Sequence, residues 1–204
     1  MKLRSCIVGV LAILSMSGVF AQKSKYVIDT RHSVMGFTIK IAGGMSEVDG
    51  SFRSFQGTVL YDSTDVTKSE FDVSIDVASV STGVDGRDAH LRDEEFFAVS
   101  RFPTMTFRTS SVTPQGNGYL LQGALTMRGV TKEIEIAFRR THSSPVVMLF
   151  GTSSIIFEGT TKLNRKDFGV LANTRWNSIV AATGELAMAD EVGIRLKIIA
   201  EKRN

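Results

Sequence analysis

Thiol chemistry is almost missing from this 204-residue chain, which has a single cysteine, Cys6. Cys6 sits in a leader: Lys2 and Arg4 precede an apolar run from Cys6 to Phe20, and Ala21 ends a Val19-Phe20-Ala21 triplet of the kind a signal peptidase reads. The run is too short and too weakly flanked for a membrane-spanning helix. Residues 1–21 are therefore expected to be a cleaved signal peptide and residues 22–204 a single exported domain. A lipoprotein anchor cysteine would follow the apolar run, whereas Cys6 precedes most of it. The mature chain is left without disulfide or thiol, and must be held by its core alone in a periplasmic or extracellular setting.

Other shortages narrow the function classes. Three prolines and no low-complexity stretch leave no room for a linker, so one domain is expected. Three histidines (His32, His90, His142) without paired spacing, and no mature cysteine, argue against a catalytic zinc site. Lys2 and Arg4 account for two of the three charges in the formal +3, and no basic stripe interleaves with aromatics, which argues against nucleic acid as a partner. One tryptophan and three tyrosines are too few for the two aromatic girdles of an outer-membrane barrel.

What is present is alternation with a period of two. Strand signals cover Lys25 to Ile28, Val34 to Ile41, Gln56 to Tyr61 and Phe71 to Val77. They resume over Thr104 to Ser110, Tyr119 to Met127, Thr131 to Arg139, Ser153 to Leu163 and Glu191 to Glu201. Gly43-Gly44, Gly116-Asn117-Gly118 and Arg128-Gly129 punctuate them. Phe71, Val73, Ile75 and Val77 alternate with Asp72, Ser74 and Asp76, which describes one buried and one wet face of an antiparallel sheet. Eight or nine strands with short turns predict a closed or nearly closed barrel, with a sandwich as the alternative. Eight strands enclose an interior that side chains just fill or that holds one small ligand, and composition does not separate the two.

One segment breaks the alternation. Asp85 to Phe107 begins as a short helix, with Asp85 expected at the N-cap and Asp88 adding favourable charge to the first turn. Helical spacing places Arg87, His90, Glu94 and Phe97 on one face. This segment reads either as an amphipathic connector whose phenylalanines plug one end of a core, or as a functional site.

Taken together, these motifs resemble the YceI-like family of exported lipid-binding proteins. They run in order: Tyr26-x-Ile28-Asp29-x-x-His32-Ser33, then Phe37, then Gly50-x-Phe52-x-x-Phe55-x-Gly57. Next come Ser81-Thr82-Gly83, Arg87-Asp88-x-His90-Leu91, Phe96-Phe97 and Phe102-Pro103-x-Met105-x-Phe107. Gly123-x-Leu125-Thr126-x-Arg128-Gly129-Val130-Thr131-Lys132 and Asp167-Phe168-Gly169 close the series. The resemblance spans about Lys25 to Glu201. It implies an all-β, eight-stranded antiparallel lipocalin-like barrel with one short helix near one end. It also implies an internal tunnel for a long-chain polyisoprenoid, isoprenoid quinone or acyl lipid, no cofactor, transient membrane contact and homodimers. The expected lining is Phe37, Ile39, Phe71, Val73, Ile75, Val77, Phe107, Ile134, Ile136 and Phe138, with Phe96 and Phe97 closing one end. Arg87 and His90 are candidates for the lipid's head group, or else members of an internal network that fixes the helix.

Two other classes stay in view. Asp29, His32, Ser33 and His90 include the residue types of a hydrolase, but no nucleophile elbow or oxyanion-hole signature accompanies them. A protein-interaction module with a packed core would use the outer face instead. The chain departs from the family pattern at Asp93-Glu94-Glu95, whose charge disfavours an anionic head nearby. It departs again at Leu171 to Asp190, which has no clear period.

Overall fold

Alternating strands can bury one face completely only if every row of the sheet finds two neighbours, and in this chain eight rows do. The computed structural model describes residues 23–141, 146–147, 153–171 and 187–202. Residues 1–22, His142 and residues 172–186 with Trp176 lie outside that description. The strands are β1 (Ser24–Ile28), β2 (Val34–Ile41), β3 (Ser46–Phe52), β4 (Phe55–Tyr61), β5 (Glu70–Asp76) and β6 (Val80–Ser81). After helix α1 (Asp85–Arg92) come β7 (Thr104–Gln115), β8 (Gly118–Met127), β9 (Val130–Arg140), β10 (Val146–Val147), β11 (Ser153–Asn164) and β12 (Met188–Lys202).

Hydrogen bonding runs β11-β9-β8-β7-β5-β4-β1-β12, and β12 returns to pair with β11 from Ser154↔Glu201 to Asn164↔Glu191. All pairings are antiparallel, so the sheet is a closed eight-row barrel, with one α-helix among the described residues, as the sequence predicts. Three rows are each broken in two. β1 and β2 both lie along β12, β3 pairs with β2 as β4 does with β1, and β6 pairs with β3. Local hydrogen bonds carry the ladder across the breaks. Ser33 Oγ donates to the Ile199 carbonyl and accepts from the Ile199 amide, the Asp76 amide donates to Ser54 O, and the Arg53 amide donates to Ser79 O.

Burial follows the pleat. Met105, Phe107, Leu121, Leu125, Met127, Ile136 and Phe138 are buried inside, while Thr104, Thr106, Arg108, Glu133 and Glu135 are exposed outside. Surface pairs such as Arg108–Asp72 at 3.1 Å sit on the wet face, where such contacts add little stability.

The structure corrects several local expectations. β3 went unread because Ser46-Glu47-Val48-Asp49-Gly50 hardly alternates, yet it pairs with β2 along its whole length. β7 runs on to Gln115, past a bulge at Thr109/Ser111, and β12 starts at Met188. Asp85 is the first helical residue rather than the cap: Val84 holds the cap position and makes no side-chain capping bond. The helix also stops at Arg92, so Glu94 and Phe97 belong to the turn that follows it.

Gly50 is required by its neighbour. A Cβ there would lie 2.2 Å from Phe37 Cζ, because the Phe37 ring lies directly across the Gly50 backbone. Gly86, in α1, has nothing within 4 Å of the equivalent position. Gly50→Ala should therefore cost about 1–3 kcal/mol of overpacking, lowering Tm by roughly 3–9 °C in a domain of this size. Gly86→Ala should add about 0.5–1 kcal/mol of helix propensity and so raise Tm slightly. Thermal melts followed by circular dichroism check both signs.

Candidate ligand cavity

Because the rows alternate, every second side chain points at the barrel axis, and in this chain those side chains do not fill it. A cavity of about 700 Å³ lies inside, with walls that are almost wholly hydrocarbon. Phe37 and Ile39 from β2, Phe71, Val73 and Ile75 from β5, Phe107 from β7, and Ile134, Ile136 and Phe138 from β9 all stand on its wall. So do Phe96 and Phe97 after the helix, and Arg87 and His90 on it.

Val77 does not, contrary to expectation. The Asp76 carboxylate accepts from the Ala78 amide at 3.0 Å and turns Val77–Ser79 into a 3-10 turn. That turn takes Val77 off the alternation and buries it in the core, 1 % exposed.

The wall also holds residues outside the expected lining. Phe157, Thr161 and Leu163 of β11 and Ile194 and Leu196 of β12 obey the same period of two and were within its reach. Arg165 was not, since Arg165-Lys166-Asp167 reads as a wet turn. It is 4 % exposed. Its guanidinium donates to Ala189 O at 3.0 Å, Val170 O at 2.8 Å and Asp190 Oδ1 at 3.1 Å. Burial lowers its pKa, while the Asp190 carboxylate opposes that shift.

Strand direction divides the cavity into two ends. α1, the turn after it, and Arg165 lie where β6 and β11 finish and β7 begins, so the polar side chains of the wall collect at this end. Arg87 donates to Thr82 Oγ1 at 2.7 Å and to Thr82 O at 3.2 Å. Thr82 in turn donates its hydroxyl and amide to Asp88 Oδ1 at 2.6 and 2.7 Å. The Thr82 hydroxyl, against the effect of burial, holds the Asp88 carboxyl below the usual aspartate range. His90 rests edge-on against Phe96, with ring centroids 5.2 Å apart, and its Nε2 lies 3.5 Å from Glu95. Arg92 donates to Ala78 O and Val80 O, and Arg128 to the carbonyls of Glu94 and Phe96. The helical plug is thus tied down by arginines bonded to backbone carbonyls.

The hydrolase residue types do not assemble into a triad. His32 Nδ1 pairs with Asp29 Oδ2 at 2.5 Å, but Ser33 Oγ is held by the two backbone groups of Ile199. His90 belongs to the helix and faces Glu95 and Phe96. Among the described residues, no group of three or more His, Cys, Asp or Glu side chains is placed to hold a metal ion.

The YceI-like domain model matches residues 26–200. A UPF0312 protein of Vibrio cholerae is 34% identical over 175 residues, covering 83% of this chain and 89% of its own length. The crystal structure of Burkholderia cenocepacia BcnA shares the fold with a TM-score of 0.71 at 22% identity, over 84% of this chain and 98% of that one. A polyisoprenoid binding domain from Saccharophagus degradans, implicated in plant cell wall breakdown, does so with a TM-score of 0.62 at 16% identity, over 89% and 100%.

Asp88→Ala should release both Thr82 and Arg87. Hydrogen exchange is then expected to quicken in α1 and to stay slow in β7–β9. Since the folded pKa of Asp88 is depressed, its contribution is complete above about pH 4. That contribution is lost as pH falls through the lower folded value. Helix protection factors in the parent protein, which allow for the intrinsic slowing of amide exchange in acid, should therefore fall selectively as pH drops through that range.

Proposed function

The chain belongs to the YceI-like family, and from that premise we propose that it binds one long apolar lipid inside the barrel and sequesters or carries it through an aqueous compartment. The observation that carries this reading is the cavity of about 700 Å³ with hydrocarbon walls. That size falls within the roughly 300–1,000 Å³ usual for small-molecule sites. The polyisoprenoid binding domain from Saccharophagus degradans has the same fold, which at that identity supports the architecture alone.

The chemistry suits a polyisoprenoid, an isoprenoid quinone or a fatty-acid derivative. Each buried methylene contributes about 0.8 kcal/mol before ordering costs, and nothing in the wall needs a hydrogen bond along the tail. The head belongs at the α1 end, beside Arg87 and His90. Arg87 is already bonded to Thr82, and Glu95 lies beside His90. These groups favour an uncharged, hydrogen-bond-accepting head over a pyrophosphate. Export by the leader would place the protein in the periplasm, where lipid exchange needs only transient membrane contact, by monomer or homodimer. The cavity counts against a module with a solid core, and the separate placement of Ser33, His32 and His90 counts against a hydrolase.

Thr161→Trp tests the reading, because Thr161 stands half-buried on the wall and an indole there would occupy the lumen. Titration with a fluorescent, uncharged apolar probe should show binding to the parent protein. The variant should bind about tenfold or more weakly, equivalent to losing two or more buried methylenes, with an unchanged circular dichroism spectrum. Equal affinity in a folded variant would place the lipid elsewhere.

A further inference from the structure

The end of the cavity opposite α1 is closed by aromatic rings. Phe71 comes from β5, Phe138 from β9 and Phe157 from β11, each near the end of its strand away from the helix. In the ring order β11-β9-β8-β7-β5-β4-β1-β12, β5 stands opposite β11. A contact between Phe71 and Phe157 therefore crosses the lumen. Their centroids are 5.3 Å apart, and each lies 5.7 Å from that of Phe138, all near-perpendicular. Such edge-to-face packing is the favoured geometry for aromatic pairs.

A second layer backs the three rings. Tyr61, 1 % exposed, touches Phe157 at 6.0 Å and Tyr26 at 5.9 Å, and Tyr119 stacks on Phe138 at 5.4 Å. The three phenylalanines line the cavity and the three tyrosines do not. Arg140 donates to the Tyr61 hydroxyl below them. The backbone of Phe71 is fixed as well: its amide donates to Thr109 Oγ1 at 2.8 Å, and that hydroxyl donates to Phe71 O at 3.2 Å. Gly159 leaves room beside them, since a Cβ there would press on Phe138 Cβ at 3.3 Å.

We propose that Phe71, Phe138 and Phe157 act as a floor that measures the ligand's tail, so that this protein discriminates among apolar lipids by length. The inference rests on the reading that the cavity holds a lipid tail. Eight residues separate Phe157 from Arg165 along the same wall. At about 3.3 Å per residue and a tilt of roughly 40°, they give an axial depth of about 20 Å. At the roughly 30 Å³ of a water-sized group, the cavity's 700 Å³ accommodates about two dozen non-hydrogen atoms. A tail enters with its end toward the floor and gains affinity with each methylene until it reaches the rings. Further carbons remain outside at the α1 end and add nothing.

The test is a competition series of linear primary alcohols with steadily longer tails, run on the full mature chain. For the parent protein, affinity should rise about fourfold per methylene and then level off at a definite length. Phe157→Leu removes three side-chain carbons from the floor, and the plateau should begin about three carbons later. Phe71→Leu, on the opposite wall, should move it in the same direction and serves if Phe157→Leu fails to fold. Phe97→Leu, at the helix end, should change the affinity of every member by a common factor and leave the plateau in place. A plateau that moves in the floor variants alone supports the proposal. A parent series without a plateau, or one whose plateau stays put in every folded floor variant, overturns the floor while leaving lipid binding intact. Absence of binding at every length would instead remove the lipid reading itself.

Discussion

Closure of the sheet by β12 is the constraint on which the rest depends. β12 pairs with β11 over eleven consecutive residue pairs on one edge. On the other edge it pairs with β1 and β2 in succession. Once eight rows are closed, the interior width is set, and at that number it lies near the boundary between a filled core and a hollow one. Side-chain choice then decides the outcome. Phe37 lies across Gly50 and Phe107 across Gly123, where a Cβ would come within 2.2 and 2.4 Å of the rings. Large rings flattened against a glycine-bearing wall bury their own surface and leave the axis open. Hollowness here follows from how the wall is packed.

An open hydrocarbon interior needs both ends managed, and the two ends use different physics. At one end the aromatic rings meet across the lumen and exclude water by contact alone. At the other, a short helix and its following turn cover the barrel through charged groups bonded to backbone: Arg92, Arg128 and the Arg87–Thr82–Asp88 chain. Polar groups of this kind are most stable when their hydrogen bonds are made, so these contacts favour the observed position of the helix. The few polar side chains on the cavity wall therefore stand toward one end, which is the asymmetry an amphiphile presents.

Much of this was legible in the sequence because a period of two is a direct image of the pleat. The alternation at Phe71 to Ile75 and at Ile134 to Phe138 gave wall residues without any structure, and the ordered motifs gave the family and the eight-row barrel. The errors have physical reasons. Val77 was misplaced because a single Asp76 side chain ended the strand one residue early. β3 was invisible because its partner's ring, rather than its own side chains, occupies the inside at Gly50. Arg165 could not be read as buried, because its ligands are the carbonyls of Val170 and Ala189 and the carboxylate of Asp190, brought to it only by the fold. The aromatic floor was hidden similarly: Phe71 and Phe138 were expected on the wall, but their meeting with Phe157 across the lumen is a fact of ring order.

The resulting account is of a barrel whose wall, floor and helical cover together define a compartment for one apolar tail. The most direct measurement is to express the full chain, purify the protein without detergent, and compare its native and denaturing mass spectra. The account predicts a stoichiometric apolar molecule in the native mass that is released on denaturation and can be extracted into organic solvent. A native mass equal to that of the bare polypeptide, with no uptake when prenyl or acyl lipids are added, would contradict it.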